Sequence, residues 1–386
     1  MRYLLFYLAC FFTPQLGAGE VLYPTPPEQK SITPADWEGI KNPAMLFPNA
    51  ETEGWGTWKP SRAKDPSVVR FQERYLMYFS IFPTKETPTE ACLAIGVAES
   101  SDLTHWQFLG TVLPLGEIDQ RGCGAPCAKV WDGQVHLFYQ SYGNGARDTI
   151  LYATSKDGLH FQLHPDNPIF SPSGNWTNGR AIDADFFEFQ GKCFLYVATR
   201  DTAGNIQKIA VATAENRNHL GKSAWKQAWD GAILEPEWPW ETRCIEAPTV
   251  LQRGDKLFMF YAGGYNNDPQ HIGVAQSSDG IHWTRLWSIP FLTNGPEGQW
   301  NASESGHPGV FVDEKGETWL FYQGNATKGS TWFLSRVKLG GGCTLCGGGM
   351  SKETSPSGGK CRKGRLFSIG KALFPVESGR ASWPRF

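Results

Sequence analysis

The sequence predicts an all-β protein, a five-bladed β-propeller with four-stranded blades. A unit of strand, tight turn, strand, loop, strand and closing turn with a short outer strand recurs five times, and a repeat of that length decides the fold class before other evidence. The second observation is phase: counted back from each second strand, Asp65, Ala125, Asp183, Glu246 and His307 fall at one place in every unit, at intervals of 60, 58, 63 and 61 residues. The third is chemical, since three of those five places hold carboxylates and a fourth a histidine.

The fourth unit shows the pattern most fully. Glu246 leads a strand over 247–252, Gly254-Asp255 makes a turn, 256–262 is a second apolar strand, and 271–276 is a third. Ser278-Asp279-Gly280-Ile281-His282-Trp283 closes the unit. Related closures stand at 101–106 and 157–161, and their role is structural: Asp-Gly forms the tight turn and the aromatic residue packs between blades. In a radial array a residue at the start of each innermost strand lies on the channel wall, so phase in sequence becomes a ring in space.

The rest of the chain divides around this core. Residues 1–19, with Arg2, the apolar run Leu4–Phe12 and small residues after it, have the form of a secretory signal peptide and are too short to span a bilayer. The expectation is therefore a secreted, extracellular protein. Residues 20–61 read as a Pro- and Trp-rich lead-in packed on the propeller at 62–339, and 340–386 as a low-complexity flexible tail. Cys343 and Cys346 with Cys361 lack the fourth ligand of a structural zinc site, and no metal site is read from the residues.

Eight cysteines outside the leader permit complete pairing, although Cys92 and Cys193 lie in strand patterns that suit free thiols. Sequons begin at Asn175, Asn301 and Asn325. A net charge of −2 gives no footprint for nucleic acid or anionic membrane, so the partner expected is carbohydrate and the protein a monomer. Sixteen Trp residues suit sugar stacking as well as core filling. Trp58, Trp176 and Trp240, in the lead-in and the inter-blade connections, are the candidate platforms, and Arg180 and Arg243, which flank Asp183 and Glu246, are candidates to bind hydroxyls or to pair with a carboxylate.

Hydrolysis of a glycosidic bond with inversion needs an acid for the leaving oxygen and a base for water on the opposite face. A neighbouring charge tunes the acid. Asp65, Asp183 and Glu246 supply three carboxylates for these tasks, with Asp185 as a rival to Asp183, two residues on and so on the same strand face.

Four segments carry a resemblance. Lys64-Asp65-Pro66-Ser67-Val68-Val69, Ala181–Phe187, Ile245-Glu246-Ala247-Pro248 and Gly306-His307-Pro308-Gly309-Val310 resemble the blade-start motifs of glycoside hydrolase family 43. The resemblance implies an inverting pentosidase of arabinofuranosidase or xylosidase type. In it Asp65 is the general base, Asp183 orients and tunes the acid, and Glu246 is the general acid. It also implies that His307 is a channel histidine near a calcium ion reached through ordered water, while the acid and base need no cofactor. Two alternatives stand beside it: a retaining fructosidase, whose Asn-Asp-Pro and Glu-Cys motifs are here Lys64-Asp65-Pro66 and Glu246-Ala247, and a non-catalytic carbohydrate-binding propeller.

Overall fold

The computed structural model describes residues 63–82, 91–114, 116–329 and 331–339, and these form five antiparallel sheets. The first holds β1 (Ala63–Phe71), β2 (Arg74–Ile81), β3 (Ala94–Ser100) and β4 (Gln107–Leu113) in that order. The second holds β5 (Cys123–Trp131), β6 (Gln134–Ser141), β7 (Ile150–Ser155) and β8 (Gln162–Leu163). The third holds β9 (Ile182–Phe189), β10 (Lys192–Arg200), β11 (Gln207–Ala214) and β12 (Lys226–Gln227). The fourth holds β13 (Ile245–Arg253), β14 (Lys256–Gly263), β15 (His271–Ser277) and β16 (Thr284–Arg285), and the fifth, among the described residues, β17 (Glu304–Val312), β18 (Thr318–Asn325) and β19 (Phe333–Leu339). This is the five-bladed propeller expected. The leader, the lead-in with Trp58 and the tail with Cys343, Cys346 and Cys361 lie outside the described residues.

Both faces of the inner strands are buried, which is why they read as nearly continuous apolar runs. The reason lies in where the cores sit. Each of five apolar clusters fills the space between two neighbouring blades, so that Trp131, Phe138 and Phe186 stack across the second and third, with centroids 5.2 and 4.7 Å from Phe186. Another cluster joins Tyr75, Phe79 and Phe108 of the first blade to Phe311 and Phe321 of the fifth. That contact closes the ring, and Ala63 N–H donating to the Trp332 carbonyl at 3.0 Å adds a backbone bond at the same seam.

Polar seams run along the channel inside these cores. Ala128 N–H donates to Ser67 Oγ (2.9 Å), Phe186 N–H to Cys127 Sγ (3.3 Å), Val250 N–H to Asp185 Oδ2 (2.8 Å) and Val310 N–H to Thr249 Oγ1 (3.2 Å). Each side chain therefore accepts from the next blade. At the fifth seam stands Gly309, where an added Cβ would collide with the Pro66 carbonyl oxygen, so blades five and one approach backbone to backbone.

Asp185 belongs to this seam and not to the channel site. The alternation that would put it on the face of Asp183 is broken by a bulge at Asp183-Ala184, between the pairs Ile182–Ala198 and Asp185–Tyr196. Its buried carboxylate meets Lys129 Nζ at 3.1 Å and accepts from the Cys127 thiol at 3.3 Å. Asp185→Asn keeps an acceptor for Val250 but takes the countercharge from Lys129. It is expected to lower stability by about 2 kcal/mol in urea unfolding while leaving turnover per folded molecule within a fewfold of wild type.

The closing turns are structural, as the sequence indicated. Asp102, Asp157 and Asp279 each accept from the backbone N–H groups two and three residues on and from the ring of His105, His160 or His282 at 2.7 Å. Two expectations are corrected. All five described cysteines are unpaired, and Cys92 lies in a bend before β3, its thiol donating to the Arg121 carbonyl at 2.8 Å. Asn301 and Asn325 are fully buried, their amides bonded to Ser305 Oγ and the Gly329 carbonyl, so a glycan cannot sit there in the folded protein; Asn175 is exposed.

Candidate active site

Every innermost strand carries a bulge near its start, and the first bulge residue has positive φ: Asp65 55°, Ala125 44°, Asp183 52°, Ala247 49°, His307 43°. These five and the residues after them line one pocket in the channel. The fourth member of the ring is thus Ala247, one residue later than the phase assigned to Glu246. Glu246 reaches the site from the position before the bulge, matched in the first blade by Lys64.

A backbone held in the left-handed region leaves its amide outside the ladder, and the neighbouring blade supplies the acceptor. Asp65 N–H donates to Gln323 Oε1 (3.1 Å), Ala125 N–H to Ser80 Oγ (2.8 Å) and Asp183 N–H to Gln140 Oε1 (2.7 Å). Ser80, Gln140 and Gln323 occupy one phase near the ends of the second strands, a periodic signal that sequence reading could have found. Ala247 has a Cβ where φ is 49°. Ala247→Gly is expected to raise stability by about 0.5–1 kcal/mol, read as a higher melting temperature.

The charged groups converge. Glu246 Oε1 accepts from His307 Nε2 at 2.9 Å and from Gln270 Nε2 at 2.8 Å, and its Oε2 accepts from Gln207 Nε2, which Arg200 holds through Nε to Gln207 Oε1 at 2.9 Å. On the other side His307 Nδ1 lies 2.7 Å from Asp65 Oδ1, off the hydrogen-bond axis, as an ion-pair contact. The imidazole therefore stands between the two carboxylates. Asp183 completes the group: one carboxylate oxygen of Asp183, one of Glu246 and a His307 nitrogen lie within 4.8 Å of one another, all buried.

Electrostatics separate the carboxyls. Burial would raise Asp65, but Lys64 and His307 outweigh it and hold the carboxyl well below its ordinary range. Burial likewise opposes ionisation of Glu246, yet charged His307, with Lys64 and Gln270, draws it below the usual value. Asp183 goes the other way: burial, reinforced by the charges of Glu246 and Asp65 and resisted by His307, pushes it up to about 7. Burial pulls His307 down, but Asp65 and Glu246 raise it well above an ordinary imidazole.

These residues do not fit direct ligation of a metal by His307. Both ring nitrogens face carboxylates and the ring is cationic, whereas a hard ion such as calcium takes six to eight oxygens.

The remaining candidates are placed apart from this cluster. Arg180 is committed to buried Asp148, through Nε at 3.2 Å and Nη2 at 3.1 Å. Trp176 packs on the core between the second and third blades with Lys208 Nζ 5.5 Å from its ring centre. Trp240 stacks on Tyr261 at 6.1 Å, fills the space beside Gly263 that a Cβ would need, and donates to the Ser288 carbonyl at 3.1 Å. Its work is covering the fourth blade. Arg243 has an exposed side chain, and its carbonyl accepts from Gln207 N–H at 2.9 Å, next to the amide that holds Glu246. Sequence reading missed Gln207, Gln270 and Arg200, which come from the third strands, a loop and a second-strand end, and share no phase.

Comparison with known proteins agrees with this geometry. A sucrose-6-phosphate hydrolase of Zymomonas mobilis is 33% identical over 107 residues, 25% of this chain and 20% of that protein. An extracellular exo-α-(1→5)-L-arabinofuranosidase of Streptomyces avermitilis is 21% identical over 315 residues, 74% of this chain and 57% of that protein. The chain thus spans less than two thirds of these curated relatives. The crystal structure of a thermostable family-43 glycoside hydrolase superposes with a TM-score of 0.59 at 20% identity, covering 75% of this chain and 91% of that one, which shows the shared fold. Residues 59–339 match Glycosyl hydrolases family 43, and the chain belongs to that family.

Proposed function

We propose that the protein hydrolyses O-glycosidic bonds by single displacement with inversion, acting on a pentoside of arabinofuranosidase or xylosidase type. The observation that carries this is the imidazole of His307 set between Asp65 and Glu246, with Asp183 beside it. The two contacts and a ring about 2 Å wide keep the facing carboxylate oxygens within about 8 Å, a bound that admits roughly 6.5–9.5 Å for inversion and roughly 5–5.5 Å for retention, so the anomer of the product decides between them.

In this reading Asp65, ionised beside Lys64 and His307, takes the proton of the attacking water. Glu246, ionised at rest, takes a proton from charged His307 through Nε2, 2.9 Å from Glu246 Oε1, and gives it to the leaving oxygen. The proton that Asp65 takes from water passes to His307 through the Nδ1 side and restores the imidazolium. Asp183, pushed up to about 7 by burial and by the charges of Glu246 and Asp65, exchanges its proton near neutrality, and it and Glu246 titrate as a pair. Acid and base come from side chains and need no cofactor. A calcium ion beside His307 would supply positive charge to the pocket, and neither proton transfer would depend on it. Secretion is part of the proposal, supported by the apolar run Leu4–Phe12; among the described residues no helix is long and apolar enough to cross a membrane.

A second reading, a retaining fructosidase with Asp65 as nucleophile, is favoured by the likeness to the sucrose-6-phosphate hydrolase. Aryl α-L-arabinofuranosides, β-xylosides and β-fructosides, with the anomer of the released sugar followed by NMR, separate the two. Inverted pentose supports the first reading, and retention with fructose release overturns it.

A further inference from the structure

Lys64 is a cation of this cluster that the described residues leave without an oxygen partner. It is 9% exposed, stands at the position of the first blade that Glu246 occupies in the fourth, and lies over the ring of Trp332 with Nζ 5.0 Å from the centre. Trp332 is fixed from both sides, stacked on Phe82 at 5.7 Å and donating Nε1–H to Glu304 Oε1 at 3.1 Å. The ammonium is therefore held at a set place. Among the described residues no oxygen lies within hydrogen-bond or ion-pair reach of it.

Two of the carboxylates around it, Glu304 and Glu246, are filled by donors of the chain, while Asp65 Oδ1 and Asp183 Oδ2 are buried without a hydrogen-bond donor and can accept from a sugar hydroxyl. Glu304 is fully buried and accepts from Gln323 Nε2 (2.5 Å), Trp332 Nε1 and Asn267 N–H (2.9 Å). Glu246 accepts from Gln207, Gln270 and His307, and Asp65 faces His307. Lys64 feels the charges of Asp65, Glu304, Glu246 and Asp183 without a bond to any of them. Three N–H donors on a nine-tenths buried cation are costly to leave unfilled, so the position calls for oxygen from outside the chain.

We propose that Lys64 is a substrate-holding residue: its ammonium donates to hydroxyl oxygens of a neutral sugar in the channel, while those hydroxyls donate their own protons to the neighbouring carboxylates. A hydroxyl is both donor and acceptor and so satisfies a cation and an anion together. A carboxylate or phosphate on the sugar would satisfy Lys64 alone and meet Asp65, Glu246 and Glu304 as like charges. The site selects neutral sugars for that reason. This rests on the hydrolase reading for the identity of the ligand as a sugar.

The test is binding without turnover. L-arabinose, D-xylose, D-fructose and D-glucuronate, which is D-xylose with an added carboxylate, are titrated by calorimetry into wild type, Lys64→Met and Lys64→Arg. The expected result is saturable binding of at least one neutral sugar by wild type, weakened at least tenfold in Lys64→Met and largely kept in Lys64→Arg, with D-glucuronate weaker than D-xylose. Lys64→Met takes a positive charge from beside Asp65, Glu304, Glu246 and Asp183, so its melting temperature is expected to fall. Lys64→Arg restores the charge, and a Lys64→Arg that regains stability without regaining sugar affinity marks a structural lysine and overturns the proposal. Unchanged affinity in Lys64→Met, preference for D-glucuronate, or no binding of any sugar by wild type also overturns it. Aryl glycoside turnover is scored separately: hydrolysis with an unchanged KM in Lys64→Met sinks the lysine's role and spares the hydrolase reading. Sugar affinity that depends on Lys64 without any hydrolysis does the reverse.

Discussion

Glu246→Gln is expected to lower kcat on an unactivated pentoside about a thousandfold, the usual worth of a positioned general acid. The loss should be far smaller on an aryl glycoside whose leaving group departs without a proton. That contrast identifies the acid step and not mere damage to the pocket. Glutamine has nearly the same shape, but its amide must face Gln207 Nε2, Gln270 Nε2 and charged His307, all of them donors to the carboxylate in the native protein. Some loss of sugar affinity is therefore expected as well, and the leaving-group dependence of kcat is the discriminating readout. Equal losses on both substrates would remove Glu246 from the acid role and pass it to Asp183, the carboxyl that keeps its proton near neutrality.

The role of Glu246 shows how far the sequence carried the argument. The blades were legible because a hairpin turn and an apolar second strand leave periodic marks, and Asp65, Asp183 and His307 were legible because the bulge residue of each innermost strand sits at a constant distance from them. Glu246 was found for an inexact reason: its side chain enters from the residue before the bulge, and Ala247 holds the true phase. Asp185 was misplaced because strict alternation fails across the bulge. Of the two roles open to Arg180 the structure takes the carboxylate pair, with Asp148, and Trp240 is used for packing against Tyr261 and Gly263, because a connection between blades must be packed and neutralised. Gln207 and Gln270 have no motif of their own, and Lys64 lies in a blade-start segment whose mark is its neighbour Asp65. Their importance exists only once the ring closes and brings separate blades together.

Asp183→Asn should separate activity from stability, with opposite signs. Loss of the titrating carboxyl beside Glu246 is expected to cut kcat about a hundredfold or more, in the range for a group that tunes a general acid. Stability at neutral pH should rise. Asp183 ionises near 3.8 in the unfolded chain but is pushed up to about 7 in the fold by burial and by Glu246 and Asp65, so the folded state holds a proton that the unfolded state has released. Wild type therefore keeps this group's full contribution below about pH 4, loses it progressively as pH rises toward 7, and loses no more above that. Asparagine does not titrate. The gap in favour of the variant should be near zero at pH 4 and reach about 4 kcal/mol by pH 7–8, taking each pKa unit as about 1.4 kcal/mol. Urea unfolding of both proteins across that range measures it. A gap that is flat with pH, or that favours wild type at pH 8, would mean that Asp183 is ionised in the folded protein and that the proton belongs instead to Glu246. The acid and its neighbour would then carry their charges in the opposite order, with Glu246 protonated at rest and ready to act without a proton from His307.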